Sequence, residues 1–271
     1  MRIIRDVESA KSTLLKRLPA ELVELPPHVK ERVKKVFGKD LTAEEVVKQI
    51  IADVRTRGDE ALFEYTEKLD GAKLSRLEVS PKEIAAAKTN VDKQLMNSLQ
   101  IAAERVSDFH QRQRDSLPKG RIEFSKGVGQ VITPLERVGV YAPGGTASYP
   151  STVLMTAIPA RAAGVDEVIL ATPPRPDGHI PPLTLAAARI ARVDRVFAIG
   201  GAVAIAALAF GTRSVPKVDK ICGPGNIFVM LAKKQVFGAV DIDGLQGPTE
   251  TIVLADDSAN PASCAADLLA Q

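Results

Sequence analysis

The residues best placed to do chemistry stand in three short glycine turns: Tyr141 with Gly144 and Gly145, Gly200 with Gly201, and Gly223-Pro224-Gly225-Asn226. Each turn follows a short apolar stretch, RVGVY, RVFAI or KIC, and precedes a stretch of helical character. A strand emptying through glycines into a helix start presents bare backbone N–H groups at the positive end of the helix. A phosphate or carboxylate can approach there without meeting a side chain. None of the turns spells the GxGxxG fingerprint. Each also has a reading without a ligand: a tight connection for the glycines, a packed strand-end aromatic for Tyr141, and a helix N-cap for Asn226.

The elements that must hold these turns are legible from periodicity. Glu167-Val168-Ile169-Leu170-Ala171 is a further buried strand, and the alternation of such strands with helical stretches predicts a parallel sheet with helices on its faces. Ligands in such sheets collect beyond the carboxyl ends of the strands, where the glycines fall. Upstream, Thr42 and Glu45 have the spacing of a capping box ahead of Val46, Val47, Ile50, Ile51 and Val54. Gly58 should close that helix, and Asp59 should open a second one that stops at Gly71. Ser80-Pro81 with Glu83 predicts a third, long helix running towards Asp115.

Residues 121 to 133 change period and read as a hairpin or two short strands, and Thr251-Ile252-Val253-Leu254 reads as a strand of another sheet. The expected class is α/β: incomplete Rossmann-like parallel sheets with flanking helices, preceded by a helical N-terminal region. The expected division has three parts. Residues 1–140 hold the helical region and the first part of a larger α/β domain, 141–247 an inserted nucleotide-binding domain, and 248–271 the return to the first.

Composition narrows the function class. The 271 residues are 45% hydrophobic and 25% charged, enough for one large or two moderate domains, and the net charge is only +3. The basic pairs Lys34-Lys35 and Lys233-Lys234 lack an aromatic platform and read as solvated faces, so no nucleic-acid partner is expected. Cys222 and Cys264 form no CxxC and stand far apart, which argues for free thiols in a reducing compartment. Charges interrupt the N-terminal segment MRIIRDVESAKSTLLKRL, so no signal peptide or membrane partner is expected and the predicted location is cytoplasmic.

Five segments in register, RVGVYAPGG, PSTVLMTAIPARAAGV, IGGAVAIAALAFGT, VPKVDKICGPGN and GPTETIVLADDSA, resemble the histidinol dehydrogenase family, and the likeness extends upstream to VRTRGDEALFEYTEKLDG and FHQRQ. The resemblance implies an enzyme of histidine biosynthesis. It would oxidise the amino alcohol L-histidinol to L-histidine through the aldehyde, with two NAD, a zinc ion and a homodimeric assembly. Tyr141 and Asn226 then match NAD contacts, Thr249 a hydroxyl near the substrate, and Gln271 a zinc ligand. The family's catalytic Glu-His pair matches no residue of this chain, whose C-terminal helix stops at Gln271 without a cap. The sequence thus reads as an N-terminal portion that is catalytically silent by itself.

Where the family carries glutamine, this chain has Val203. Loss of one neutral hydrogen bond to the cofactor would weaken binding by about 0.5–1.5 kcal/mol. Gln246, where a small residue is common, is a milder departure. His28, His110 and His179 have no carboxylate spacing that suggests a base or ligand set, and read as surface or packing residues. Two other readings stay open: a dehydrogenase of another polar alcohol, and a non-catalytic nucleotide- or partner-binding module.

Overall fold

Alternation of side chains along a strand sends neighbours to opposite faces, and this sheet uses both. The computed structural model describes residues 4–13, 25–118, 120–144, 147–246 and 251–270. Its main sheet comprises β3 (Arg137–Tyr141), β4 (Glu167–Thr172), β5 (Arg195–Ala198), β6 (Lys220–Cys222) and β7 (Asp241–Ile242), in the order β5-β4-β3-β6-β7. All four pairings are parallel. Val168, Leu170 and Val196 enter one core with α6 (Lys93–Asp115), α7 (Pro150–Ala163) and α8 (Pro182–Ile190). Ile169, Ala171 and Phe197 enter the other with α3 (Ala43–Arg57), α4 (Asp59–Tyr65), α9 (Gly201–Phe210) and α10 (Ile227–Val236). The α/β class with a parallel sheet and flanking helices is therefore as expected.

Strand order reverses at β3, whose neighbours are β4 on one side and β6 on the other, so the switch point of the doubly wound sheet lies between β3 and β6. The edge at β5 is covered by residues 77–79. Val79 N–H donates to Val196 O (2.8 Å), Ala198 N–H donates to Leu77 O (2.8 Å), and Arg195 donates twice to Glu78 (2.8 and 2.7 Å).

The N-terminal region forms as local chemistry dictates. Glu45 N–H donates to Thr42 Oγ1 (3.2 Å) while Thr42 N–H donates to Glu45 Oε2 (2.8 Å), closing the capping box of α3. Preceding it are α1 (Val7–Thr13) and α2 (Pro27–Phe37). After α4 the chain makes one π turn, Thr66–Asp70, and stops at Gly71 in the left-handed region (φ 73°).

The long third helix is corrected. The capping box of Ser80 and Glu83 starts only α5 (Pro81–Ala86), a 3₁₀ turn follows, and Val91 is extended (φ −118°, ψ 137°). Asp92 then caps α6 by accepting from Gln94 and Leu95 N–H (2.8 and 3.2 Å). The short side chain of Asp92 satisfies orphan amides of a new helix and so interrupts what periodicity alone would continue.

The predicted hairpin is present as β1 (Arg121–Ser125) paired antiparallel with β2 (Val128–Val131). The strand expected at Thr251–Leu254 is not. That stretch has no regular structure, Ile252 and Leu254 are exposed, and no described strand pairs with it. A strand without a neighbour leaves its backbone groups to water. α11 (Pro261–Ala270) follows, with Asn260 accepting from Ala262 N–H (2.9 Å). The division expected at 140/141 falls inside β3, and helices from before it share a core with the sheet.

Candidate active-site cleft

Beyond the carboxyl ends of β3, β4, β5 and β6 lies a cleft of about 770 Å³ at the switch point. Tyr141, Gly144, Gly201, Gly225 and Asn226 all line it. Gly145, Thr249 and Gln271 lie outside the described residues.

The ligand-free roles of Tyr141 and Asn226 are both realised. Tyr141 is buried, and its Oη accepts from Gly201 N–H (3.1 Å). Desolvation pushes this phenol up to about 12, so it stays protonated and retains an O–H to donate. Asn226 Oδ1 accepts from Phe228 and Val229 N–H (3.1 and 3.2 Å), which caps α10 and leaves the amide Nδ2 as a donor. Capping therefore aims a donor group and does not exclude ligand contact.

The turn carrying Asn226 is clamped from behind. Lys233 is fully buried, and its Nζ donates to Gly223 O (2.9 Å) and to Asp243 Oδ1, while Asp243 Oδ2 accepts from Gly223 N–H (2.7 Å). The reading of Lys233-Lys234 as a solvated pair is thus corrected at Lys233. Its helix packs that face into the core, where an ammonium persists only with such partners. Val203 is 2% exposed and is not among the residues lining the cleft. Its side chain packs into the core that contains α9, so a glutamine there would place an amide among apolar groups.

Three residues that sequence reasoning did not single out as ligand groups also line the cleft: His28 and Arg32 from α2, and Asp70 from the π turn. They come from the helical region and carry no local signal; only packing brings them to the sheet. His28 is thereby placed at the cleft, whereas His110 lines a different hollow. Burial pushes the Asp70 carboxyl up to about 6, with the positive charge of Arg32 acting in the opposite sense.

Because folded Asp70 holds its proton more tightly than the unfolded chain does (ordinary value 3.8), the folded state binds more protons between the two values. Its contribution is a destabilisation that grows as pH rises from about 4 to 6 and is complete above, at most about 3 kcal/mol. Asp70→Asn is expected to raise the melting temperature at pH 7 and to leave it little changed near pH 4. Melting curves across that range check this, and a lower Tm at pH 7 would contradict it.

The larger hollow, about 900 Å³, lies between α6, α7 and residues 132–135 and gathers none of the glycine turns. Its one thiol, Cys222, is pushed up to about 11 by burial and is a poor nucleophile at neutral pH. Among the described residues no three His, Cys, Asp or Glu side chains come together to hold a metal ion, and no helix is long and apolar enough to cross a membrane.

A parallel sheet of order β5-β4-β3-β6-β7, with glycine turns and polar donors converging at its switch point, defines a doubly wound α/β protein. The histidinol dehydrogenase family model matches residues 34–271. The chain is 56% identical over its whole length to a histidinol dehydrogenase of Dehalococcoides mccartyi and covers 61% of that relative. It is 50% identical over 251 residues to the enzyme of Deinococcus radiodurans, covering 92% of this chain and 56% of that one. The crystal structure of histidinol dehydrogenase from Elizabethkingia anophelis superposes with a TM-score of 0.77 at 40% identity, over 86% of this chain and 54% of that one. The chain belongs to the histidinol dehydrogenase family, and it spans little more than half the length of these relatives.

Proposed function

We propose that this chain forms the NAD-binding part of an enzyme that oxidises L-histidinol to L-histidine through the aldehyde, in histidine biosynthesis. The observation that carries this reading is the convergence of Tyr141, Gly144, Gly201, Gly225 and Asn226 on one cleft at the switch point. Bound NAD would supply the hydride acceptor. The chain's own contribution is orientation. Asn226 Nδ2 and the Tyr141 O–H are donors held still by the bonds their oxygens already accept, while Gly144 and Gly225 line the cleft in turns packed so closely that a Cβ would meet Pro173 (2.8 Å) or Val229 (2.4 Å). Gly145 is proposed to extend the same wall, Thr249 to meet the amino alcohol substrate, and Gln271 to belong to the zinc site. A nucleotide-binding unit built on the parallel sheet from β3 onward, a homodimer and a cytoplasmic location belong to the same proposal.

Titration of the chain with NADH, followed by nicotinamide fluorescence, tests the reading. Binding is expected, weakened about tenfold by Asn226→Ala and less by Tyr141→Phe, since each removes one donor. Val203→Gln is expected to leave affinity unchanged and to lower stability. Absence of NADH binding, or binding indifferent to both cleft variants, would overturn the assignment.

A further inference from the structure

We infer that Asp70 is the residue through which the cleft selects an unphosphorylated adenosine ribose, accepting hydrogen bonds from its two hydroxyls and excluding a 2′-phosphate. The inference rests on the dinucleotide reading above. Asp70 closes the π turn Thr66–Asp70, and its carboxylate stands beside the start of α9: a Cβ built on Gly200 would lie 3.2 Å from Asp70 Oδ2. Among the described residues it accepts no hydrogen bond and makes no ion pair, although it lines the cleft and is half-buried. Arg32, the cation whose field it feels, lines the same cleft without closing on it. A carboxylate so placed has acceptor positions open to the donors of a ligand in the cleft.

The position also limits which donors those are. At the N-terminus of α9 the Gly201 N–H is already taken by Tyr141 Oη, and the Asp70 carboxylate is itself the anion at that helix end. A phosphate there would meet like charge, so the phosphates belong elsewhere in the cleft, away from the start of α9. What remains for Asp70 is a donor without negative charge, and the donors of a dinucleotide that come as an adjacent pair matching two carboxylate oxygens are its ribose diols. Leu69, next to Asp70, lines the cleft together with Val29, Val33, Phe37, Val46 and Ile50. That apolar wall suits a flat uncharged ring and seats adenine, whose own ribose then reaches Asp70. The same pairing of an acid with a ribose diol recurs in dinucleotide folds where the acid comes from the sheet. Here it comes from the helical region.

Paired titrations with NADH and NADPH test the inference on the 271-residue chain. The parent is expected to prefer NADH by tenfold or more. Asp70→Asn should weaken NADH about tenfold, leave NADPH equal or tighter, and bring the two within about threefold of each other. Asp70→Ser, which removes the charge with a smaller side chain, serves if the first variant fails to fold. Equal parent affinities for the two cofactors, or a variant that shifts both alike, would overturn the role of Asp70 while leaving the dinucleotide reading standing. A parent that binds neither cofactor would overturn both.

Discussion

Lys233→Met should lower the stability of the chain by about 3 kcal/mol, a drop of roughly 6–10 °C in melting temperature for a protein of this size. Methionine keeps the volume of the buried stem but removes the ammonium that donates to Gly223 O and Asp243. Asp243 is then a half-buried carboxylate held only by Gly223 N–H (2.7 Å). An orphaned partner costs far more than the pair contributes, so the double variant Lys233→Met with Asp243→Asn should recover part of the loss. Since the clamp grips the first residue of the Gly223–Asn226 turn, NADH affinity should fall with it. Urea unfolding measures the first effect and fluorescence titration the second. A variant within about 1 kcal/mol of the parent would mean that the clamp is not closed in solution.

A larger loss is expected from Gly223→Ala. Gly223 sits at φ +124°, a conformation L residues rarely adopt, and an added Cβ would lie 2.1 Å from the Tyr141 carbonyl oxygen. Neither partner can yield, because the clash is with the backbone of the central strand where β3 pairs with β6. The sheet would have to open at its switch point, at a cost of about 4 kcal/mol or more. The contrast is Gly201→Ala: φ is +59°, but nothing lies within 4 Å of the new atom. The cost there is about 1 kcal/mol of backbone strain. Melting curves of the two variants should therefore separate widely, and a Gly223→Ala protein melting close to the parent would contradict the packing described.

How much of this was readable beforehand follows from the range of the forces involved. The capping boxes at Thr42 and Ser80, the stop at Gly71 and the hairpin at 121–131 depend on residues within a few positions of one another, and each appears as the sequence predicts. The break at Asp92 is equally local, but the apolar period runs through it and masks its signal, an N-cap residue followed by free amides. The stretch at Thr251–Leu254 has the composition of a strand, yet composition cannot provide the neighbour a strand must bond to.

By itself the sequence determined the alternation of Val168, Ile169, Leu170 and Ala171 between two cores, the glycine turns after β3, β5 and β6, and hence a parallel sheet with those turns gathered at one end. These follow from side-chain period and turn stereochemistry, which are properties of consecutive residues. Only the tertiary structure decided that Asp70 and Arg32 come from the helical region to that cleft, that Lys233 is buried against Asp243, and that Val203 faces the core. Those outcomes depend on which helix covers which face of the sheet, and so on burial and charge pairing between segments distant in the chain.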